Sequence, residues 1–204
     1  AVGIVEQEGD RDFYRLGLKL LELGSMVLAN MEVHREALPC IEELARETGE
    51  TVHLGVFDGS QVVSIEKMDS PHGLASNVTI GKGAPAYCTG VGKALLAFQP
   101  TEVVDRLCRA QLTAYTPQTV TDPVRLRKDL AQVRAQGFAV DNMEHQADVR
   151  CVAAPIRNHS GRVVASLSVS GPATRIPKGR IPPLAARVRE VAAKLSARLG
   201  YTGR

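Results

Sequence analysis

The sequence predicts an α+β fold, an antiparallel β-sheet flanked by helices. Two pairs of neighbouring strand patterns, over 52–66 and 151–170, are each joined by a short polar turn, and strands connected in this way pair antiparallel. Segments with the helical spacing of apolar residues lie before, between and after these pairs. A doubly wound parallel sheet would instead alternate single strands with single helices along the chain, so that class is not favoured.

The composition is that of an ordinary globular protein. The 204 residues are 44% hydrophobic and 23% charged, enough to bury a core without disulfides or a structural metal. The four cysteines form no C-x-x-C pair, a pattern typical of reduced thiols in a cytoplasmic protein. A net charge of +3 neither requires nor excludes nucleic acid. No apolar run approaches the roughly 20 residues of a membrane-spanning helix, so we expect no membrane partner.

The N-terminal part predicts a hairpin followed by two helices. Extended segments at 3–7 and 13–16 flank a polar turn, and so small a ribbon needs a packing partner to be stable in water. Apolar residues recur at helical spacing over 18–29 and again over 33–47. Pro39 predicts a kink in the second helix or a break near its start.

The rest of the chain follows the same logic. Asp58-Gly59-Ser60 is a turn between strands, and Asp122-Pro123 is a strong helix start, because the aspartate can cap the helix and proline suits its first position. The predicted strands are 52–57, 61–66, 75–80, 138–141, 151–157 and 162–170. The predicted helices are 91–98, 102–110, 122–136 and a C-terminal one ending near Leu199. The predicted loops are 81–85, 142–150 and one containing prolines 172, 177, 182 and 183.

The last hairpin carries small polar residues on one face. Strand alternation puts Val163, Ala165, Leu167 and Val169 on one side and Ser166, Ser168 and Ser170 on the other. In the paired strand, Val152, Ala154 and Ile156 alternate with Cys151, Ala153 and Pro155. If the registers agree, Cys151, Ala153 and the serines line one concave surface. The pattern leaves open whether that surface is a half-exposed sheet face or the wall of a ligand cavity.

A glycine-rich turn precedes the helix at 91–98. The segment Cys88-Thr-Gly-Val-Gly-Lys-Ala94 resembles a phosphate loop, but Tyr87 replaces a required glycine and Ala94 a required Ser or Thr. A nucleotide site is therefore excluded. Two interpretations remain: a plain loop, or a helix start whose free N–H groups could hold a carboxylate.

Asp141, His145 and Cys151 allow two further hypotheses. The first is a cysteine hydrolase, with Cys151 as nucleophile, His145 as base and Asp141 as orienter. The second is a metal site, although hard and soft ligands are mixed without a familiar spacing. The other histidines are expected to be surface or hydrogen-bonded core residues: His34, His53, His72 and His159.

Five segments together carry a family resemblance. They are YRLGLKLLELGSMVLAN, LARETGETVHLGVFDGSQVVSIEKMDSP, AYCTGVGKALLAF, RAQGFAVDNMEH and RCVAAPIRNHSGRVVASLSVSGP. In this order and spacing they resemble the isocitrate lyase regulator (IclR) family of bacterial transcription regulators, over about residues 13–199. The resemblance implies an N-terminal winged helix-turn-helix, a linker helix and a C-terminal effector-binding domain with a GAF-like fold.

The resemblance also implies a division of this chain. No segment corresponds to the DNA-reading helices, so we expect a piece of a longer protein. In that division 1–16 is the remnant of a winged-helix wing hairpin, 17–30 the linker helix and 31–204 the effector-binding domain.

The effector pocket of the family maps onto nine positions by motif match. They are Ser76, Ala84, Gly90, Val91, Asp141, Val149, Cys151, Ser168 and Ser170. The backbone of Gly90 and Val91 would hold the carboxylate of an effector. An ionised Asp141 would repel that group, so it either accepts a hydroxyl or is protonated. Ser76 and Ala84 stand where some members have bulkier residues, which suggests an aromatic or longer acid in place of a two- or three-carbon keto acid.

The function implied is a sensor with no catalysis, cofactor or metal. Its expected partners are a small organic acid, further copies of itself as a homodimer or dimer of dimers, and promoter DNA through the N-terminal domain only. Two alternatives stay open: a small hydrolase using Cys151, and a GAF-like sensor of a signalling protein that does not bind DNA. Loss of turnover in Cys151→Ser would identify the first, and the codons upstream of Ala1 would identify the second.

Overall fold

A computed structural model describes residues 2–7, 13–72 and 78–203. The strands are β1 (Val5–Gln7), β2 (Tyr14–Leu16), β3 (Thr51–Phe57), β4 (Gln61–Met68), β5 (Gly83–Pro85), β6 (Ala139–Asn142), β7 (Val149–Arg157) and β8 (Val163–Pro172). The helices are α1 (Lys19–Asn30), α2 (Glu32–Thr48), α3 (Gly90–Leu96), α4 (Thr101–Arg109), α5 (Pro123–Gln136) and α6 (Ile181–Arg198). The α+β prediction is confirmed.

Six strands form one antiparallel sheet in the order β5-β4-β3-β8-β7-β6. The hairpins β3–β4 and β7–β8 meet at its centre, where β3 pairs with β8. In that central pairing Val52 lies opposite Val169 and His53 opposite Ser168. The middle of the sheet therefore joins segments from the two halves of the chain.

Each face of the sheet is covered by helices. On one face α2 and α6 bury the apolar residues of the central strands in the larger core. On the other face α3 packs on the sheet, with α5 against it, around a second and smaller core. The predicted alternation is confirmed for Val152, Ala154 and Ile156, which belong to the first core together with Leu167 and Val169.

The prediction of the apolar face of β8 is wrong at one residue, Val163. Ile156 pairs with Ala165, but the next residue, Arg157, pairs with Val163. This β-bulge leaves Val164 without an opposite residue and changes the alternation at the end of β8. As a result Val164, and not Val163, packs against the core.

The prediction of a strand at 75–80 is wrong over the residues that the structure describes. Residues 75–77 lie outside the described residues, and 78–80 form no strand. The edge strand comes later, at β5, inside the predicted loop 81–85. Ala84 pairs with Val62 and Pro85 with Gln61. Proline is tolerated there because an edge strand has one side without a partner.

The helix signals were more accurate. The Asp122 side chain accepts the Arg125 N–H at 2.7 Å, and Gly137 ends α5 with φ 75°. Helix α2 continues through Pro39 without the predicted break. Pro182 and Pro183 lie in the first turn of α6 and not in the preceding loop, because a first turn has N–H groups that need no intrahelical partner.

The N-terminal segments lie apart from the sheet. Strands β1 and β2 pair as the predicted hairpin, whose turn at 8–12 lies outside the described residues. Helix α1 is described throughout, and none of its residues is buried. Large apolar side chains are exposed here, with Leu21 at 69% and Val27 at 60% of full exposure. Within the described ranges, no helix is both long and apolar enough to cross a membrane.

Candidate functional site

A cavity lies between the sheet and the start of α3. It holds about 620 Å³ of space not filled by protein atoms, part of it open to solvent. Residues from β3, β7 and β8 line one side, and the start of α3 lines another. Eight of the nine predicted positions line it: Ala84, Gly90, Val91, Asp141, Val149, Cys151, Ser168 and Ser170. The ninth, Ser76, lies outside the described residues.

The serine face that the strand alternation predicted forms one wall of the cavity. In the β7–β8 ladder Cys151 lies opposite Ser170 and Ala153 opposite Ser168. The two registers therefore agree, and these side chains share one side of the sheet. Ser166 continues the row on the same face but does not line the cavity.

Glycines, which have no side chain, let α3 approach the sheet closely. A Cβ atom on Gly90 would lie 2.7 Å from the Cys151 Sγ atom, and one on Gly92 would lie 2.4 Å from the Ala86 Cα atom. On the sheet, a Cβ on Gly55 would lie 2.6 Å from the Val91 Cγ1 atom. Glycine is thus required on both surfaces for the helix start to reach the cavity.

The start of α3 presents backbone donors. The Thr89 hydroxyl oxygen accepts the Gly92 N–H at 3.2 Å, which caps the helix. The first N–H groups of a helix have no intrahelical acceptor. Those of Gly90 and Val91 lie at the cavity, where the Val91 N–H also interacts with the Cys151 sulfur. The predicted helix start is therefore formed.

Asp141 is the main titratable group of the cavity. Burial raises its pKa to about 7, although it accepts the Glu144 N–H at 2.7 Å. The Glu144 charge also raises this pKa, and Lys93 lowers it. Lys93 and Glu144 form a buried ion pair that joins α3 to the segment after β6. At neutral pH a substantial fraction of Asp141 is therefore protonated.

Cys151 is poorly suited to nucleophilic catalysis. Burial, with a contribution from the Asp141 charge, raises the pKa of its thiol to about 12. A reactive cysteine needs the opposite shift, because the thiolate is the nucleophile.

The residues described include no group of three or more His, Cys, Asp or Glu side chains that could hold a metal ion. The metal site drawn from Asp141, His145 and Cys151 is thus not assembled.

Sequence reasoning missed several cavity residues, of which His53 is the most informative. It lies on β3, 5% exposed, and its Nε2 atom is 3.1 Å from the Ser170 Oγ atom. The sequence offers one signal for it: in β3, His53 and Gly55 share a face that must meet the serine face once β3 pairs with β8. Ser64 and Lys82 also line the cavity, and the Lys82 side chain is exposed.

Comparison with known proteins places this fold and cavity in a family. The family model "Bacterial transcriptional regulator IclR C-terminal" matches residues 25–197. The chain belongs to the IclR family. Its match lies in the C-terminal domain of these transcriptional regulators, and this favours the regulator over the hydrolase and over a sensor that does not act on DNA.

Individual IclR-family proteins are similar over most of the chain. The regulator KdgR of Escherichia coli (strain K12) is 38% identical over 201 residues, which are 98% of this chain and 76% of KdgR. The crystal structure of Thermotoga maritima IclR is 34% identical with a TM-score of 0.85, covering 98% of this chain and 81% of the other. An IclR homologue from Microbacterium hydrocarbonoxydans, crystallised with 4-hydroxybenzoate, is 29% identical with a TM-score of 0.83, covering 97% and 80%.

Proposed function

We propose that the cavity binds a small organic acid and that the bound acid controls promoter binding by an N-terminal winged helix-turn-helix domain in the cytoplasm. The observation that carries the proposal is the cavity wall, which combines the backbone N–H groups at the start of α3 with buried hydroxyls. Such a lining neutralises and orients an anion, while apolar neighbours select its body.

The carboxylate of the acid binds at the start of α3. The N–H groups of Gly90 and Val91 donate to it, and the helix dipole favours negative charge there. Protonated Asp141 does not repel it, and Lys82 at the exposed edge of the cavity attracts it. Small Ala84 leaves room for an aromatic or longer acid, which agrees with the 4-hydroxybenzoate complex of the Microbacterium homologue.

The domain acts by binding and not by catalysis. With the pKa of Cys151 raised to about 12, the thiol stays protonated at neutral pH. The bound acid favours one arrangement of the oligomer over another, and this population shift changes the spacing of the DNA-binding domains. In this proposal 1–16 is the end of a wing, 17–30 the linker helix and 31–204 the sensor.

Calorimetric titration with a panel of aliphatic and aromatic carboxylates tests the binding. We expect at least one acid to bind, and Val91→Asp to weaken it by about 100-fold, because a second carboxylate would face the first. Val124→Asp is the matched control, since Val124 is 75% exposed on α5. The proposal fails if no acid in the panel binds, or if the Val91 variant binds as tightly as the control.

Self-association is the second part of the proposal. The exposed apolar side chains of α1 form a surface that a monomer would leave in water. We propose that further copies of the chain cover this surface, in a homodimer or a dimer of dimers. Its position between the hairpin and the sensor lets it transmit the state of the cavity.

Light scattering after size-exclusion chromatography measures the oligomer. The double change Leu21→Glu and Val27→Glu places two charges on the apolar surface of α1, so we expect a smaller assembly. Lys128→Glu, on the exposed side of α5, should leave the mass unchanged. An unchanged mass in the double variant would mean that α1 is not the contact surface.

A further inference from the structure

Two polar atoms in the cavity wall lack hydrogen-bond partners. The Nδ1 atom of His53 and the Oγ atom of Ser168 are both buried, and neither has a partner within the described part of the chain. His53 and Ser168 lie directly opposite each other on β3 and β8, and both residues line the cavity. The Ser168 hydroxyl lies close enough to the Cys151 thiol to lower its pKa slightly, without making a hydrogen bond of ordinary geometry.

Unpartnered groups of this kind are unusual in a folded protein. Most buried polar side-chain atoms are hydrogen-bonded, and one left without a partner destabilises the fold. The other ring nitrogen of His53 is already engaged with Ser170, which holds the ring in place. The two residues that carry these atoms are thus held opposite each other in the cavity wall.

The two possible tautomers of His53 limit which ligand group can hydrogen-bond to its free ring nitrogen. If the His53 Nε2–H donates to Ser170, then Nδ1 is an acceptor; if Nε2 accepts from the Ser170 hydroxyl, then Nδ1–H is a donor. A hydroxyl satisfies either form, because it both donates and accepts. It can also bond to the Ser168 hydroxyl, which has the same double capacity. Burial lowers the pKa of His53 to about 4, so the ring is neutral at physiological pH.

We propose that His53 and Ser168 form a hydroxyl-recognition site, and that the ligand of this domain is a hydroxylated organic acid. The inference rests on the proposed acid binding at the start of α3 and adds a second anchoring point, on the sheet. His53 is then a specificity-determining residue. An acid without the hydroxyl leaves both polar atoms without partners and binds more weakly.

Two matched pairs of acids test the preference by calorimetry: 4-hydroxybenzoate against benzoate, and lactate against propionate. We expect at least one hydroxylated acid to bind about tenfold more tightly than its partner, the usual scale for filling a buried unsatisfied site. Equal affinities within both pairs would overturn the inference while leaving acid binding intact. If none of the four acids binds, this inference fails, whereas acid binding itself fails only if no acid of the wider panel binds.

Two variants separate the free ring nitrogen from the rest of His53, and two more test the role of Ser168. His53→Gln carries an amide at the position of Nε2 and so keeps a partner for Ser170, whereas His53→Asn carries one at the position of Nδ1. We expect Gln to remove the preference for the hydroxyl and Asn to retain part of it. Ser168→Ala should reduce the preference, and Ser166→Ala is the control, because Ser166 is equally buried but does not line the cavity.

Circular dichroism and thermal melting establish that each variant is folded before its affinities are compared. A Gln variant that keeps the wild-type preference would overturn the role of His53. Should the His53 variants fail to fold, the Ser168→Ala result decides: an undiminished preference there counts against the site, and a diminished one supports it.

Discussion

We expect Asp141 to make the proposed acid binding sensitive to pH. Its pKa of about 7 means that it is mostly protonated below pH 7 and ionised above it. A bound carboxylate is repelled only by the ionised form, so we expect the affinity to fall by about tenfold between pH 6 and pH 8. His145, which also lines the cavity, has its pKa lowered by burial.

Calorimetry at several pH values, with and without Asp141→Asn, checks this dependence. The amide cannot ionise, so the variant should bind with nearly constant affinity from pH 6 to pH 8. An equal slope in both proteins would assign the pH dependence to another group. Folding raises the pKa of Asp141, so the protonated carboxyl stabilises the folded state relative to the unfolded chain. This stabilisation is fully present at acidic pH and is lost as the pH rises toward 7.

Gly90 is a packing requirement of the helix start. Its added Cβ would lie 2.7 Å from the Cys151 Sγ atom, so Gly90→Ala should lower the free energy of unfolding by about 2 kcal/mol. Urea denaturation measures the effect. Cys151→Ala removes the sulfur, and the double variant should lose less than the sum of the two single losses. Strict additivity would show that the contact is not the cause.

Among single residues, local strand alternation predicted that Cys151 and the serines share one face of the sheet. It did not predict the position of His53 in the cavity wall. A lone histidine in a strand looks the same in sequence whether it faces water or a cavity. What decides its burial is the pairing of His53 with Ser168, a residue from the other half of the chain. Val163 was misassigned for a related reason, since no local signal marks the bulge beside it.

Among the elements, α5 is defined most clearly by its own ends. Replacing its cap, Asp122→Ala, leaves the Arg125 N–H without its side-chain acceptor and should cost about 1 kcal/mol of unfolding free energy. Gln132→Ala, on the exposed face of the same helix, is the control and should change stability little. Thermal or urea unfolding distinguishes the two. A loss as large in the control would rule out the cap as the cause.

Elements with local end signals could be predicted, and those stabilised by distant partners could not. Helix α5 has a capping aspartate, a proline and a terminal glycine within its own sequence. Strand β5 has only Gly83, Ala84 and Pro85, which individually disfavour a strand, and it forms because β4 offers a free edge. The sequence therefore indicated a loop there.

For the whole molecule, Glu50 links distant parts of the chain. It is 1% exposed and accepts hydrogen bonds from Arg175, at 2.7 Å for the closest pair, and from Arg180 at 3.2 Å. These contacts join the segment before β3 to the connection between β8 and α6. The sheet order that they support could be predicted only as antiparallel hairpins, because nothing local indicates that β3 pairs with β8.

Glu50→Ala should lower the free energy of unfolding by about 3 kcal/mol, because it leaves two guanidinium groups without their shared carboxylate. Glu36→Ala is the control: its ion pair with Arg198 is partly exposed to solvent and should contribute less than about 1 kcal/mol. Urea denaturation of both variants gives the comparison. Equal losses would mean that the buried position of Glu50 adds nothing.

The pairing of β3 with β8 also determines when the cavity can form during protein synthesis. His53 and Ser170, which meet across it, are 117 residues apart in the chain. Ribosomes add about 5–20 residues per second, so roughly 6 to 23 s separate the synthesis of the two sides. Throughout that interval the first hairpin lacks its neighbour and the cavity lacks a wall. If the cavity binds an acid as proposed, a nascent chain is therefore unable to bind it until β8 has left the ribosome.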